Sequence, residues 1–224
     1  MKQEDLKRII NVTAVVAILI WVLVIVLLEI DIISLDAIRQ LGLIITTLGL
    51  FWAFFFRWGW KWPILKPLFN KPDLNGTWIG SFETDWEDKK GQTVPVGEIV
   101  IVIRQTFLFV HFTSFTNRFI AHSYAETLLL DDDRGIRRVV YLYSQNRVNP
   151  GAEGDRQGTA ELSILGEPIK ELSGNFWTNA KSNGFLKVRR VSEEWIGSFE
   201  QAKSKWPNYQ DWQTLSGSKN DRRV

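Results

Sequence analysis

The chain contains no cysteine, two histidines and a single methionine. Without cysteine there is no disulfide framework and no thiolate metal site. With only His111 and His122 to offer imidazole, a zinc site is not expected, and no metal ligands are assigned. Net charge is nearly absent too, at +2 over 224 residues. Broad nucleic-acid binding needs a concentrated basic face, so neither DNA nor RNA is expected as a partner. What the chain does have is 45% apolar residues and eleven tryptophans, enough for one modest domain plus something else.

The something else is at the start. Ile9 to Leu28 carries no charge and only Asn11 and Thr13 as polar side chains. Twenty residues at 1.5 Å rise cross about 30 Å of hydrocarbon. A signal peptide would have a shorter apolar run and a small-residue cleavage site. Here the run ends in Glu29-Ile30-Asp31, which favours a retained helix. A second run, Leu41 to Phe56, is shorter, and Leu35 and Ile38 could extend it. Trp58, Trp60 and Trp62 follow it with Arg57 and Lys61 between them, as in an interfacial aromatic belt. Lys2, Lys7 and Arg8 precede the first span, and Arg57, Lys61, Lys66 and Lys71 follow the second. The loop between holds Glu29, Asp31 and Asp36 against Arg39. This asymmetry puts both termini in the cytoplasm of a multi-pass protein. Neither span has an interior charge, so they read as anchors or assembly elements rather than a relay. Gly42, Thr46 and Gly49 share one face of the second helix, a small-residue surface that lets helices approach closely.

Residues 63–73 form a short, stiff linker with Pro63, Pro67 and Pro72. From there to Val191 the sequence alternates in runs split by turn residues. The runs are Thr77–Thr84, Glu98–Gln105, Phe107–Ser114, Arg118–Leu130, Ile136–Gln145, Gly158–Leu165, Glu171–Thr178 and Gly184–Val191. Eight antiparallel strands with mostly short connections predict a closed up-and-down, lipocalin-like β-barrel, which removes sheet edges. Its interior would be filled by side chains or hold one small ligand. The long polar stretch "NRVNPGAEGDRQ", 146–157, is the exceptional connection. Strand two, "IVIVI", is apolar on both faces, so something must cover its outside. Ser192 could cap a tail helix with Trp195, Phe199 and Ala202 as its apolar stripe. The expected organisation is a membrane hairpin over 1–62, the linker 63–73, a cytosolic barrel over 74–191, and a short helix with tail over 192–224.

Strand one starts at the membrane end because the linker delivers it there. Strands then alternate in direction, so the far end collects Phe82, Thr84, Thr113, Asn117, Arg118, Phe119, Tyr143, Asn146, Arg147, Arg156, Trp177, Thr178 and Asn179. Of these, Phe82, Arg118, Tyr143, Asn146, Arg147, Arg156, Trp177, Thr178 and Asn179 are the candidate ligand-binding residues. Guanidinium forks pair with phosphates, and rings stack on bases. Arg147 or Arg156 is therefore assigned to a ligand phosphate, and Tyr143 or Phe82 to a base.

The sequence resembles the two-transmembrane β-barrel (S-2TM) effectors of bacterial CBASS anti-phage systems, which are associated with CD-NTases. The resemblance covers nearly the whole chain. It rests on the paired spans, "LNGTWIGSF" at 74–82, "IRQTFLFVHFTS" at 103–114, "YLYSQN" at 141–146, "QGTAEL" at 157–162 and "GNFWTNAKSNGFLKV" at 174–188. It implies that a partner nucleotidyltransferase makes a cyclic dinucleotide, such as cyclic GMP–AMP, on infection. The barrel would bind this activating ligand, the protein would form a homo-oligomer, and the spans would act on the lipid of the inner membrane and kill the cell. No other cofactor is implied.

Two other classes compete. One is a membrane-tethered, lipocalin-like carrier of a hydrophobic small molecule, which would need a mostly apolar cup. The other is an enzyme. Glu83, Asp85 and Glu87 cluster as metal or acid–base groups would, but they read better as a solvated loop face. His111 and His122 lack a nucleophilic constellation and read as packing or surface residues, so no catalytic residue is assigned.

Overall fold

The computed structural model of the protein describes residues 3–28, 41–65, 69–85, 96–131, 133–147 and 156–207. The chain forms two compact units, Met1–Pro72 with Thr106–Leu108, and Asp73–Gln105 with Phe109–Val224.

In the first unit, helix α1 spans Gln3–Leu28 and α2 spans Leu41–Arg57. One stretch of α1, the 20 residues Lys7–Val26, is long and apolar enough to cross a membrane. At 17 residues, α2 is a shorter apolar helix. Leu35 and Ile38, expected to extend it, lie outside the described residues. One threonine in each helix bonds within its own helix. Thr13 donates to the Ile9 carbonyl at 2.7 Å and Thr46 to that of Gly42 at 2.9 Å. A methyl at Gly42 or Gly49 would meet nothing within 4 Å, so that face is open. At the end of α2 a buried aromatic cluster joins Phe55 to Trp60, Phe69 and Phe107.

Phe107 corrects one strand boundary. Strand three was expected to begin there, but it begins at Val110. Phe107 instead lies 4.8 Å from Phe69 and 5.2 Å from Phe55, ring to ring, and its N–H donates to the Phe56 carbonyl. Burying that ring outweighs three more residues of strand.

The second unit is a closed antiparallel barrel in sequence order. Its strands are β1 Gly76–Thr84, β2 Gly97–Gln105, β3 Val110–Phe115, β4 Phe119–Asp131, β5 Ile136–Arg147, β6 Arg156–Leu165, β7 Glu171–Thr178 and β8 Asn183–Ser192. The closing pair is β1 with β8, from Thr77 opposite Ser192 to Thr84 opposite Gly184. Alternation places Trp78, Ile101, Phe112, Val139, Tyr141, Leu162, Leu172 and Val188 inside, all of them buried. At the linker end the barrel is plugged. Leu74 is fully buried there, and the Trp78 indole N–H donates to its carbonyl at 2.9 Å. Beside it, Asn75 Oδ1 accepts from the Gln105 N–H, and Gln105 Oε1 accepts from the Leu74 N–H, both at 2.8 Å.

The outer face of β2 is covered, as its two-sided apolar pattern requires. Val100 and Val102 pack with Ile79, Ile196, Phe199 and Ala202. The covering helix, α3, is Phe199–Lys205. Its cap is Ser198, whose side chain accepts from the Gln201 N–H at 3.1 Å. Ser192 was expected in that role, but it ends β8. Trp195, expected in the apolar stripe, is exposed with the Arg104 guanidinium 5.0 Å over its ring. The chain therefore runs six residues further along the wall before it turns helical.

Candidate functional site

At the end of the barrel away from Leu74 lies a cavity of about 130 Å³. Its floor is Ile99, Leu186 and Tyr141. Tyr141 stacks on Phe112 with centroids 4.3 Å apart and planes 6° from parallel. Phe82, Phe119, Tyr143 and Phe176 form the walls, with Phe82 and Phe176 edge to face at 6.1 Å. Ser114, Thr116, Gln145, Thr178 and Ser182 supply polar atoms around the lining.

Three of the wall rings share one local device. Phe82 is opposite Gly97, Tyr143 opposite Gly158 and Phe176 opposite Gly184 in their strand ladders. In each pair the ring lies over the glycine, where a methyl would come within 2.3–2.5 Å of ring atoms. The bare backbone lets the ring fold across the neighbouring strand, which leaves space along the axis.

Burial pushes the Tyr143 phenol up to about 12. Tyr141 is driven higher still, first by burial and then by the neighbouring Tyr143 phenol. Both are neutral at cellular pH and keep their O–H donors. The hydroxyls of Thr178 and Ser182 share a hydrogen bond of 2.6 Å. Thr116 Oγ1 accepts from the Phe119 N–H at 2.9 Å, which fixes the turn that delivers Phe119.

The sequence-assigned residues divide by strand parity. Phe82, Tyr143 and Thr178 line the cavity. Arg156 opens β6 opposite Gln145, with its guanidinium 5.8 Å over the Phe119 ring. Arg147 ends β5 opposite Phe119, and its side chain lies outside the described residues. Asn146 and Trp177 are exposed and alternate with the cavity residues Gln145 and Phe176. Trp177 borders instead a furrow on the outer wall with Phe185 and Asp85. Asn179 pins the turn after β7, bonding the Gln157 backbone through both its own N–H and its Oδ1. Arg118 is exposed in the β3–β4 turn, its N–H donating to Thr116 Oγ1. Cavity residues that end composition did not select are Ile99, Ser114, Thr116, Ala121, Tyr141, Gln145, Phe176, Ser182 and Leu186. The signal for four of them was in the pattern: Tyr141 and Gln145 follow the parity of Tyr143, Phe176 that of Thr178, and Ala121 that of Phe119.

Of the carboxylates read as a solvated face, Asp85 accepts from the Asn183 N–H at 2.6 Å, and Glu87 lies outside the described residues. His111 and His122 are exposed on the outer wall with rings 6.4 Å apart. Ser123 Oγ and a Glu126 carboxylate oxygen both meet His111 at Nδ1, so no relay through the ring connects them. Among the described residues no His, Asp or Glu group could hold a metal.

Residues 69–190 match the family model described as Cap15, cyclic dinucleotide receptor domain. The chain is also similar to CD-NTase-associated protein 15 of Staphylococcus schleiferi, with 26% identity over 141 residues, 60% of this chain and 70% of that protein. The family match runs from the linker through β1 to β7 and into β8, and by it the chain belongs to the Cap15 cyclic dinucleotide receptor family.

Proposed function

We propose that this protein is a membrane-anchored effector of anti-phage defence whose barrel is the receptor for a cyclic dinucleotide. On binding, the chain assembles with its own copies, and the apolar helices disrupt the inner membrane. The observation that carries the reading is the aromatic cavity at one barrel end with Arg156 beside it, in a chain of this family. Rings of Phe82 and Tyr143 suit a base, and the guanidinium suits a phosphate. The ligand source is a nucleotidyltransferase of the CD-NTase class, in line with the relative's name, and cyclic GMP–AMP is one candidate ligand. The role is that of a receptor, without a catalytic step. Both termini are cytoplasmic, from the lysine and arginine distribution.

The mostly apolar cup that a carrier of a hydrophobic small molecule needs is present in the rings of Phe82, Phe119 and Phe176 with Ile99 and Leu186. What it lacks for a long apolar molecule is depth, because Trp78, Ile101, Phe112, Tyr141 and Leu162 fill the interior below it. The effector reading is tested in cells that express the protein with an inducible CD-NTase. Uptake of a membrane-impermeant dye should follow induction, and not when the synthase is inactivated. Equal uptake with the inactive synthase would contradict it.

A further inference from the structure

We infer that the barrel encloses one base of a cyclic dinucleotide rather than the whole molecule, and that Gln145 selects that base. This deepens the receptor reading and rests on it. The cavity holds about 130 Å³. An engineered apolar cavity of about 150 Å³ takes benzene, whereas sites that engulf a whole small molecule run to roughly 300–1,000 Å³. One planar ring system fits, and two nucleobases on a shared sugar–phosphate ring do not. The walls suit a flat ring, because Phe82, Phe119, Tyr143 and Phe176 offer aromatic faces and edges. The ligand's two halves are therefore read unequally, one inside and one at the mouth.

Among the polar groups on the lining, four are already committed to each other, to a turn or to a neighbouring strand. Thr178 and Ser182 bond one another, Thr116 holds the turn before Phe119, and Thr84 Oγ1 donates to the Asn183 carbonyl, while Ser114, Tyr141 and Tyr143 each offer a single hydroxyl. Gln145 differs. Among the described residues its side-chain amide has no hydrogen-bond partner. It offers a donor and an acceptor side by side, the pattern that pairs with a base edge. In the ladder it lies between Ala121, which leaves room, and Arg156, which brings positive charge to the adjoining strand.

The test is a selectivity series on the full chain purified in detergent. Cyclic dinucleotides with two favoured bases, one favoured and one other, and two other bases are titrated by calorimetry. If one base is read, the mixed ligand binds within about twofold of the favoured symmetric one, a statistical difference only. The symmetric ligand of the other base binds about 10- to 100-fold more weakly. A mixed ligand midway on a logarithmic scale means both bases are read and overturns the inference, as does equal binding of all three. Gln145→Leu should collapse the series to near-equal affinities, with an unchanged melting temperature as the check on folding. A series unchanged in that variant overturns the assignment of Gln145. Ala121→Leu should fill the cavity and weaken the favoured ligand, and wild-type binding by that variant overturns the enclosed base. If the wild-type chain binds no member of the series, the receptor reading itself fails.

Discussion

Tyr143 and Gly158 face each other across the β5–β6 ladder, and a methyl on Gly158 would lie 2.5 Å from the Tyr143 ring. The tyrosine can lean over β6 only because its partner has no side chain. The same relationship joins Phe82 to Gly97, where the three atoms nearest the added methyl all belong to the ring. Gly97→Ala is therefore the cleaner probe. It should push the Phe82 ring across the cavity and destabilise the barrel by about 1–3 kcal/mol, the usual range for overpacking. Urea unfolding measures the second effect, and a variant as stable as wild type would mean that the ring moves freely.

Alkaline pH should weaken the fold. A phenol's ordinary value is 10.0, and burial holds Tyr143 near 12 in the folded state. Above pH 10 the unfolded chain loses this proton while the folded chain keeps it, so the unfolded state binds fewer protons and stability falls as pH rises. The stability is fully present below pH 10.0 and declines from there towards about 12. Tyr141 shifts in the same direction and adds to the slope. In Tyr143→Phe the decline should be shallower. Melting temperatures across alkaline buffers give the comparison, and parallel curves would count against burial as the cause.

The two candidate capping serines make a second stability test. Ser198→Ala should cost about 0.5–2 kcal/mol, because it removes the acceptor for the Gln201 N–H. Ser192→Ala should cost less, since that side chain only meets the Glu194 N–H at the end of β8. The reverse order would contradict the assigned cap.

Much of the barrel was legible because a strand's two faces alternate in the sequence itself. Trp78, Gly80 and Phe82 against Ser81 and Glu83 is one such strand, and Tyr141 and Tyr143 mark another. The doubly apolar "IVIVI" announced a cover on its outside. What could not be read locally was the start of β3, because Phe107 is drawn away by Phe55 and Phe69, both far off in the chain. The cap of α3 was equally hidden, since Ser192 and Ser198 are chemically the same and only the path of the wall separates them. At the site, collecting polar and aromatic residues by barrel end brought in Asn146 and Trp177, whereas the lining holds their neighbours Gln145 and Phe176. Composition of an end says which residues are near, and parity says which of them face the axis.

The open face of Gly42 and Gly49 on α2 should matter for assembly rather than folding. Nothing lies within 4 Å of a methyl placed at either, so Leu at both fits the isolated chain but blocks close helix approach. The double variant should retain ligand binding and lose dye uptake in synthase-expressing cells. Killing at the wild-type level would rule this face out.

The central claim, that the barrel's aromatic end is a receptor site for a cyclic dinucleotide, is tested most directly by titrating the purified full chain and its Arg156→Ala and Arg156→Lys variants with a cyclic dinucleotide panel. A charged hydrogen bond is worth about 1.5–3 kcal/mol, so Arg156→Ala should bind roughly 10- to 100-fold more weakly. Arg156→Lys should recover only part of that, because an ammonium lacks the bidentate fork. Binding by the wild-type chain that is lost in this graded order is the expected result; no binding to any member of the panel, or equal binding by all three proteins, would contradict it.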